Sequence, residues 1–212
     1  MRIKWFGHSC FFLVTGAGIK VMTDPYDEDT GFRVPPVAPD VVTVSHQHHD
    51  HNAVSLVQGK PIVVDKTGTH LAKGINIRGV ATFHDNEKGK RRGLNTVFTI
   101  ETDGVKICHL GDLGHCLEPD KLMEIGLADV LLIPVGGTYT IDANEAAALT
   151  KEMKPRIAVP MHYKIPGLNV SVAPADGFLK HFGTVERRPF LELTPDNLPA
   201  ESTIVLLDRL QS

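Results

Sequence analysis

Cysteine is scarce, at three of 212 residues. Cys10, Cys108 and Cys116 are odd in number and far apart, which offers neither a disulfide framework nor a thiolate zinc site. Cys10 and Cys108 fall in apolar, strand-like stretches and read as core residues. No apolar run approaches the roughly 20 residues that cross a bilayer. The N-terminus, Met1-Arg2-Ile3-Lys4-Trp5, enters a strand pattern without the apolar stretch of a signal peptide, so a cytoplasmic protein with no membrane partner is expected. Excess positive charge is missing too: the formal charge is −3, which gives no electrostatic footprint for nucleic acid. Basic residues gather only at Lys88-Gly89-Lys90-Arg91-Arg92, which reads as a solvated hairpin tip. Coiled-coil heptads, short-period repeats and low-complexity segments are absent. What remains, 42% hydrophobic and 22% charged residues, is ordinary for a soluble globular chain and predicts one domain over residues 1–212.

Histidine, by contrast, is plentiful at 11 positions and unevenly placed. In His46-Gln47-His48-His49-Asp50-His51, His46, His48, Asp50 and His51 stand at spacings i, i+2, i+4 and i+5. They lie directly behind Val41-Val42-Thr43-Val44, a buried-strand pattern. A turn from that strand into a short helix over Asn52 to Val57 folds these side chains inward. Imidazole nitrogen and carboxylate oxygen suit zinc, iron, manganese or nickel.

The same placement recurs along the chain. Ile3 to Phe6, Phe11 to Thr15 and Ile19 to Thr23 read as an antiparallel meander. Asp24-Pro25 through Pro39, with four prolines, reads as a loop across one end of the sheet. Strands are expected at Ile62 to Val64 and from Val80 to His84, with a turn at Lys66-Thr67-Gly68 between them. A hairpin follows, Asn95 to Glu101 and Val105 to Leu110, around Asp103-Gly104. Helices are expected at Pro119 to Ile125, around Asp176 to His181, and at Ala143 to Met153, where Asp142 and Glu145 form a capping-box pattern. Further strands are expected at Val130 to Pro134, Ile157 to Pro160 and Thr203 to Leu207. This mixture predicts an α/β fold of mixed sheets flanked by helices. His84, Asp112 and His162 each follow a strand, as the first histidine cluster does. Carboxyl ends of neighbouring strands share one rim in layered α/β folds. Seven metal-type residues then converge there, enough for two ions.

In this order the motifs resemble those of the metallo-β-lactamase superfamily: Asp24 closing an early strand, His46-x-His48-x-Asp50-His51, a single downstream His84, Gly111-Asp112, and His162. Gly7-His8-Ser9-Cys10 and Asp24-Pro25 resemble the compact branch of ascorbate-phosphate lactonase-like proteins. The third motif, Phe83-His84-Asp85-Asn86, departs from the Gly-His-Thr or Gly-His-Ser turn of better-known members and leaves His109 and His115 as rivals of His84. The resemblance implies a four-layer αβ/βα sandwich of two mixed β-sheets flanked by helices. It also implies two divalent metal ions, zinc first and manganese, iron or nickel as alternatives. His46, His48 and His84 would hold one ion, Asp50, His51 and His162 the other, with Asp112 bridging. The implied chemistry is hydrolysis of a small, anionic ester, lactone or phosphodiester by a hydroxide between the ions, oriented by Asp50 as catalytic residue. His8 and Asp24 are candidates for hydrogen-bonding ligand imidazoles. Tyr139 is a candidate for steadying a leaving group, and Arg92, Asn95 and Lys164 for meeting substrate charge. His49 is expected to face away, and His70 and His181 to be structural or surface groups.

Two other functions are compatible with these residues: a mononuclear iron oxidoreductase of the sulfur dioxygenase type, and a catalytically silent metal-binding module. A diiron reductase is disfavoured because His48 stands where those proteins carry Glu and the chain has no room for a flavin domain. A transfer-RNA nuclease lacks its basic arm here, and β-lactam cleavage lacks its secretory signal. A homo-oligomer is compatible with the fold.

Overall fold

A computed structural model describes residues 1–210. The strands are β1 (Arg2–Gly7), β2 (Cys10–Val14), β3 (Lys20–Thr23), β4 (Val41–Thr43), β5 (Ile62–Val64), β6 (Gly68–Ala72), β7 (Ile75–Phe83), β8 (Leu94–Thr102) and β9 (Val105–His109). After them come α1 (Pro119–Ile125), β10 (Val130–Pro134), α2 (Ala143–Met153), β11 (Ile157–Met161), α3 (Asp176–Leu179), β12 (Val185–Arg188), β13 (Leu191–Glu192) and β14 (Thr203–Leu207). They form two mixed sheets, ordered β13-β1-β2-β3-β4-β5 and β12-β14-β11-β10-β9-β8-β7-β6.

Strand alternation builds the layers. Period two sends Ile3, Trp5, Phe11, Leu13, Val21 and Val41 into the large core with the second sheet. It sends Phe6, Cys10, Phe12, Met22 and Val42 to the opposite face. The second sheet answers with apolar runs in β9, β10 and β11, buried on both faces as parallel strands are. Residues of α1, α2 and α3 join this core. The α2 start carries the expected capping box, Asp142 accepting from the Asn144 and Glu145 N–H groups.

The outer face of the first sheet differs from a helical layer. It is covered by Tyr26, Phe32, Val57 and Leu168, which belong to loops and 3₁₀ turns. Four prolines between Pro25 and Pro39 remove helix donors from the main covering loop. The helix expected from Asn52 to Val57 is a single 3₁₀ turn, Val54–Leu56, with no side-chain cap and an extended Val57. The chain bends at Lys66-Thr67 as expected and then enters the unexpected edge strand β6, and β12 and β13 are further short strands at sheet edges. No described helix is long and apolar enough to cross a membrane.

The pairings aim the site. β1 is antiparallel to β2 and β2 to β3, while β3 and β4 are parallel, so β1, β3 and β4 run the same way. In the second sheet β7, β9, β10 and β11 share one direction. The carboxyl ends of β1, β3 and β4 thereby face those of β7, β9 and β11 across one rim.

Candidate metal centre

Several chain segments leave this rim in a left-handed conformation: His8 (φ 52°) after β1, Asp24 (φ 38°) after β3, Gly111 (φ 56°) after β9 and His162 (φ 52°) after β11. For the non-glycine residues such backbone costs about 1–3 kcal/mol each, comparable with the stabilisation from fully burying one Val or Leu side chain, about 1.5–3 kcal/mol. The core between the sheets therefore suffices to hold these turns. At Gly111 a Cβ would lie 2.4 Å from Asn95 Oδ1 and 2.6 Å from Ser45 Cβ, so only glycine lets the chain pass and deliver Asp112.

Two groups of donors result. His46, His48 and His84 form one, and His8, Asp50, His51 and His162 the other, the candidate ligand atoms of each lying within 4.8 Å of one another. Asp112 sits between them. Its Oδ2 is 3.3 Å from His84 Nε2 and 3.1 Å from His162 Nε2, and its Oδ1 is 3.3 Å from His51 Nε2. All seven residues expected to converge do so.

Hydrogen bonds behind the rings fix which nitrogen faces inward. Asp24 is fully buried, and its carboxylate accepts from the Ser45 N–H (2.8 Å), the Ser45 hydroxyl (2.6 Å) and His51 Nδ1 (2.8 Å). Since the Ser45 hydroxyl donates to Asp24, its oxygen accepts from His46 Nδ1 at 3.0 Å. His84 Nδ1 donates to the Tyr139 carbonyl at 3.1 Å. Three imidazoles thus carry a proton on Nδ1 and turn Nε2 toward the centre, the nitrogen that metal ligation uses. His46 Nε2, both ring nitrogens of His162 and Asp112 Oδ1 are buried there without a hydrogen-bond partner, and such a cluster of orphaned polar atoms is what a cation would satisfy.

Charge points the same way. Burial works to raise the carboxyls of Asp24 and Asp112, but the surrounding imidazoles outweigh it and hold Asp24 below and Asp112 well below the ordinary range. Asp50 is likewise lowered, burial being outweighed by its hydrogen bond with His8 together with the charges of His51 and His8. Burial, reinforced by neighbouring imidazoles, pushes His46 down to about 2 and His8 to about 4, and it also lowers His84 and His109. Within the centre His51 goes the other way, because Asp112, Asp24 and Asp50 overcome its burial. Asp24, Asp50 and Asp112 thus draw positive charge toward His51, and a divalent cation among them would supply that charge instead.

His8, expected as a hydrogen-bond partner, brings Nε2 to 3.2 Å from both Asp50 Oδ2 and His51 Nε2. Its Nδ1 has no partner, so the single proton of the neutral ring belongs on Nε2, from which it is donated to Asp50. Other expectations are corrected. Asn95 does not face substrate: its Nδ2 donates to Thr82 Oγ1 and the Leu110 carbonyl, and its Oδ1 accepts the Asp112 N–H at 2.9 Å, which positions that residue. Lys164 turns its ammonium onto the Leu168 and Val170 carbonyls. The rivals of His84 are occupied elsewhere, His109 with the Ser9 carbonyl and the Gly111 N–H, His115 with the Phe83 N–H and the Cys116 carbonyl. His49 pairs with Asp27 at 3.0 Å, His70 with the Lys66 carbonyl and His181 with Asn144, all at the surface. Ser45, which links Asp24 to His46, carries no sequence signal beyond its place before the cluster.

A cavity of about 450 Å³ opens over the centre, bordered by exposed His48 and by Asp50, His84, Asp112, Arg92 and Tyr139.

A two-sheet α/β sandwich with a histidine and aspartate centre at the strand ends is the architecture of metal-dependent hydrolases, and residues 2–162 match the β-lactamase superfamily domain. The chain belongs to the metallo-β-lactamase superfamily. Within it, a UPF0173 metal-dependent hydrolase of Thermoplasma acidophilum is 32% identical over 190 residues, 77% of this chain and 83% of that one. A candidate Zn-dependent hydrolase of the superfamily from Thermotoga maritima is 42% identical, with a TM-score of 0.80 over 98% of this chain and 99% of its own. Igni18, a metallo hydrolase of Ignicoccus hospitalis, is 25% identical, with a TM-score of 0.60 over 80% of this chain and 86% of its own.

Proposed function

We propose that the chain is a dinuclear metal-dependent hydrolase acting on a small, anionic ester, lactone or phosphodiester. The observation that carries this reading is the pair of donor groups on either side of Asp112, with ring nitrogens turned inward and a cavity above them. Nitrogen-rich donors with carboxylates suit zinc first, with manganese, iron and nickel as alternatives. When bound, two such ions lower the pKa of a water between them and polarise the bond it attacks.

The chain's own residues supply the rest. His46, His48 and His84 would hold one ion and Asp50, His51 and His162 the other, with Asp112 shared. Of the two carboxylates of the centre that border the cavity, the Asp50 side chain is 18% exposed and the Asp112 side chain 2%. Asp50, tethered by His8 Nε2–H, is therefore the group able to orient the attacking water. Tyr139, whose carbonyl fixes His84, also borders the cavity, where its phenol can steady a leaving group.

The test is metal content after purification without added metal, in the parent and in Asp112→Ala and His84→Ala. Two equivalents in the parent, falling by more than about 100-fold in affinity in Asp112→Ala, with turnover of phosphodiester or lactone substrates, is expected. One equivalent of iron, or metal content indifferent to His84, overturns the dinuclear reading in favour of a mononuclear iron oxidoreductase. Two tightly held ions without turnover of any ester, lactone or phosphodiester favour a silent metal-binding module.

A further inference from the structure

One wall of the metal cavity carries an arginine that nothing neutralises. Arg92 is half-buried and borders the cavity beside His84 and Asp112. Among the described residues its guanidinium has no carboxylate partner, whereas the neighbouring Arg91 pairs with Glu87 at 2.6 Å. Its planar group lies 5.3 Å over the Tyr139 ring. Stacking on an aromatic face offsets part of the cost of withdrawing the cation from water, and it leaves the forked N–H donors unused.

Two devices hold this arginine in place. The first is Asp85, buried just after His84. Burial works to raise its carboxyl, but four backbone N–H groups, those of Arg92, Glu87, Arg91 and Gly89, hold it down to about 2. These bonds run 2.8–2.9 Å and cinch the segment from Asp85 to Arg92 into one closed turn, with the Arg92 N–H as one of its four anchors. The second is Tyr139, whose ring lies under the guanidinium while its carbonyl holds His84 Nδ1. The cation is thus built onto the same two segments that fix a candidate metal ligand, which is unlike a flexible basic loop tip.

We infer that Arg92 is the specificity-determining residue of the cavity: it binds a phosphoryl or carboxylate oxyanion of the substrate while the hydrolysable bond lies over Asp112. The inference rests on the hydrolase reading above. The cavity is also bordered by Asp29, Thr30, Asn169 and Ser171 and by His49, which is paired with Asp27, so among the described residues no second arginine or lysine borders it to compete for the anion.

The experiment uses the metal-loaded full chain with three probes: bis(p-nitrophenyl) phosphate, mono-p-nitrophenyl succinate and the neutral p-nitrophenyl acetate. In Arg92→Ala the anionic-to-neutral ratio of kcat/KM is expected to fall by about 10- to 100-fold, the worth of a charge-assisted hydrogen bond, mainly through KM. Arg92→Lys recovers part of it, since it keeps charge but not the fork. The probe whose ratio falls more, phosphate ester or succinate ester, identifies the oxyanion. Lys90→Ala, an exposed cation of the same loop, is the control; an equal fall there assigns the effect to loop charge and overturns the inference, as does an unchanged ratio in Arg92→Ala. If the parent turns over no probe, the hydrolase reading fails separately. Calorimetric binding of inorganic phosphate and acetate then decides, with about 10-fold weaker binding in Arg92→Ala in support and equal binding against.

Discussion

The two donor groups on either side of Asp112 are built differently. His46, His48 and His84 include one exposed ring, His48, and two of the three, His48 and His84, border the cavity. Of His8, Asp50, His51 and His162, the three rings are fully buried and only Asp50 reaches the cavity. The first group has its carbonyl and hydroxyl acceptors supplied by Tyr139 and Ser45, whereas the second draws on the carboxylates of Asp24 and Asp50. An ion in the first group would therefore meet substrate, and one in the second would be a buried counter-charge to the carboxylates.

The largest contrast is expected between His162→Ala and His48→Ala. Each should lose one equivalent of metal by mass spectrometry. Only His162→Ala, emptying a fully buried position, should also destabilise the metal-free protein, by about 2 kcal/mol, a shift in Tm of roughly 4–8 °C at this length. Equal thermal shifts would remove the distinction between the groups. Next comes Asp24→Asn, which strikes the buried group through His51 and the open one only through Ser45. A loss of about 10- to 100-fold in affinity for the ion in the buried group is expected from competition with a chelator, with a smaller loss at the other.

The smallest effect concerns pH. His8 and His46 are pushed to about 4 and about 2, while the unfolded chain titrates near 6.5. Between those values the unfolded state binds protons that the folded state refuses, so this stability is complete above about 6.5 and is lost as pH falls. His51, raised above its ordinary value, contributes the opposite: stability present below about 6.5 that is lost as pH rises through its folded pKa. Since four buried rings, His8, His46, His84 and His109, are lowered against one, His51, raised, the metal-free Tm should be lower at pH 5 than at pH 7. The metal-loaded protein should fall more steeply, because ligand rings must release the ion to take up protons. A metal-free Tm that rises on acidification would mean that His51 dominates.

Much of the site was visible along the chain because metal ligation demands particular side chains and strand ends deliver them. The bounds of α1, α2, β10 and β14 agree with the sequence pattern, each having a cap or an uninterrupted apolar run. The strands β6, β12 and β13 do not show in it, because edge strands with few buried residues need no alternation of apolar and polar positions. Asn95 looked like a substrate contact because its environment, Thr82, Leu110 and Asp112, comes from three other segments.

The chain order alone thus carried the resemblance to the superfamily, six of the seven converging residues and the α/β class, because residue type, spacing and local period are legible in it, whereas the choice of His84 over His109 and His115 waited for their hydrogen bonds. Folding decided the rest: that Asp24 and Ser45 set the tautomers of His51 and His46, that His8 reaches across 42 residues to Asp50, and that Asp85 ties Arg92 to the cavity wall. Hydrogen-bond partners and the loss of solvent are properties of positions in space, and neither leaves a period or a spacing in the sequence.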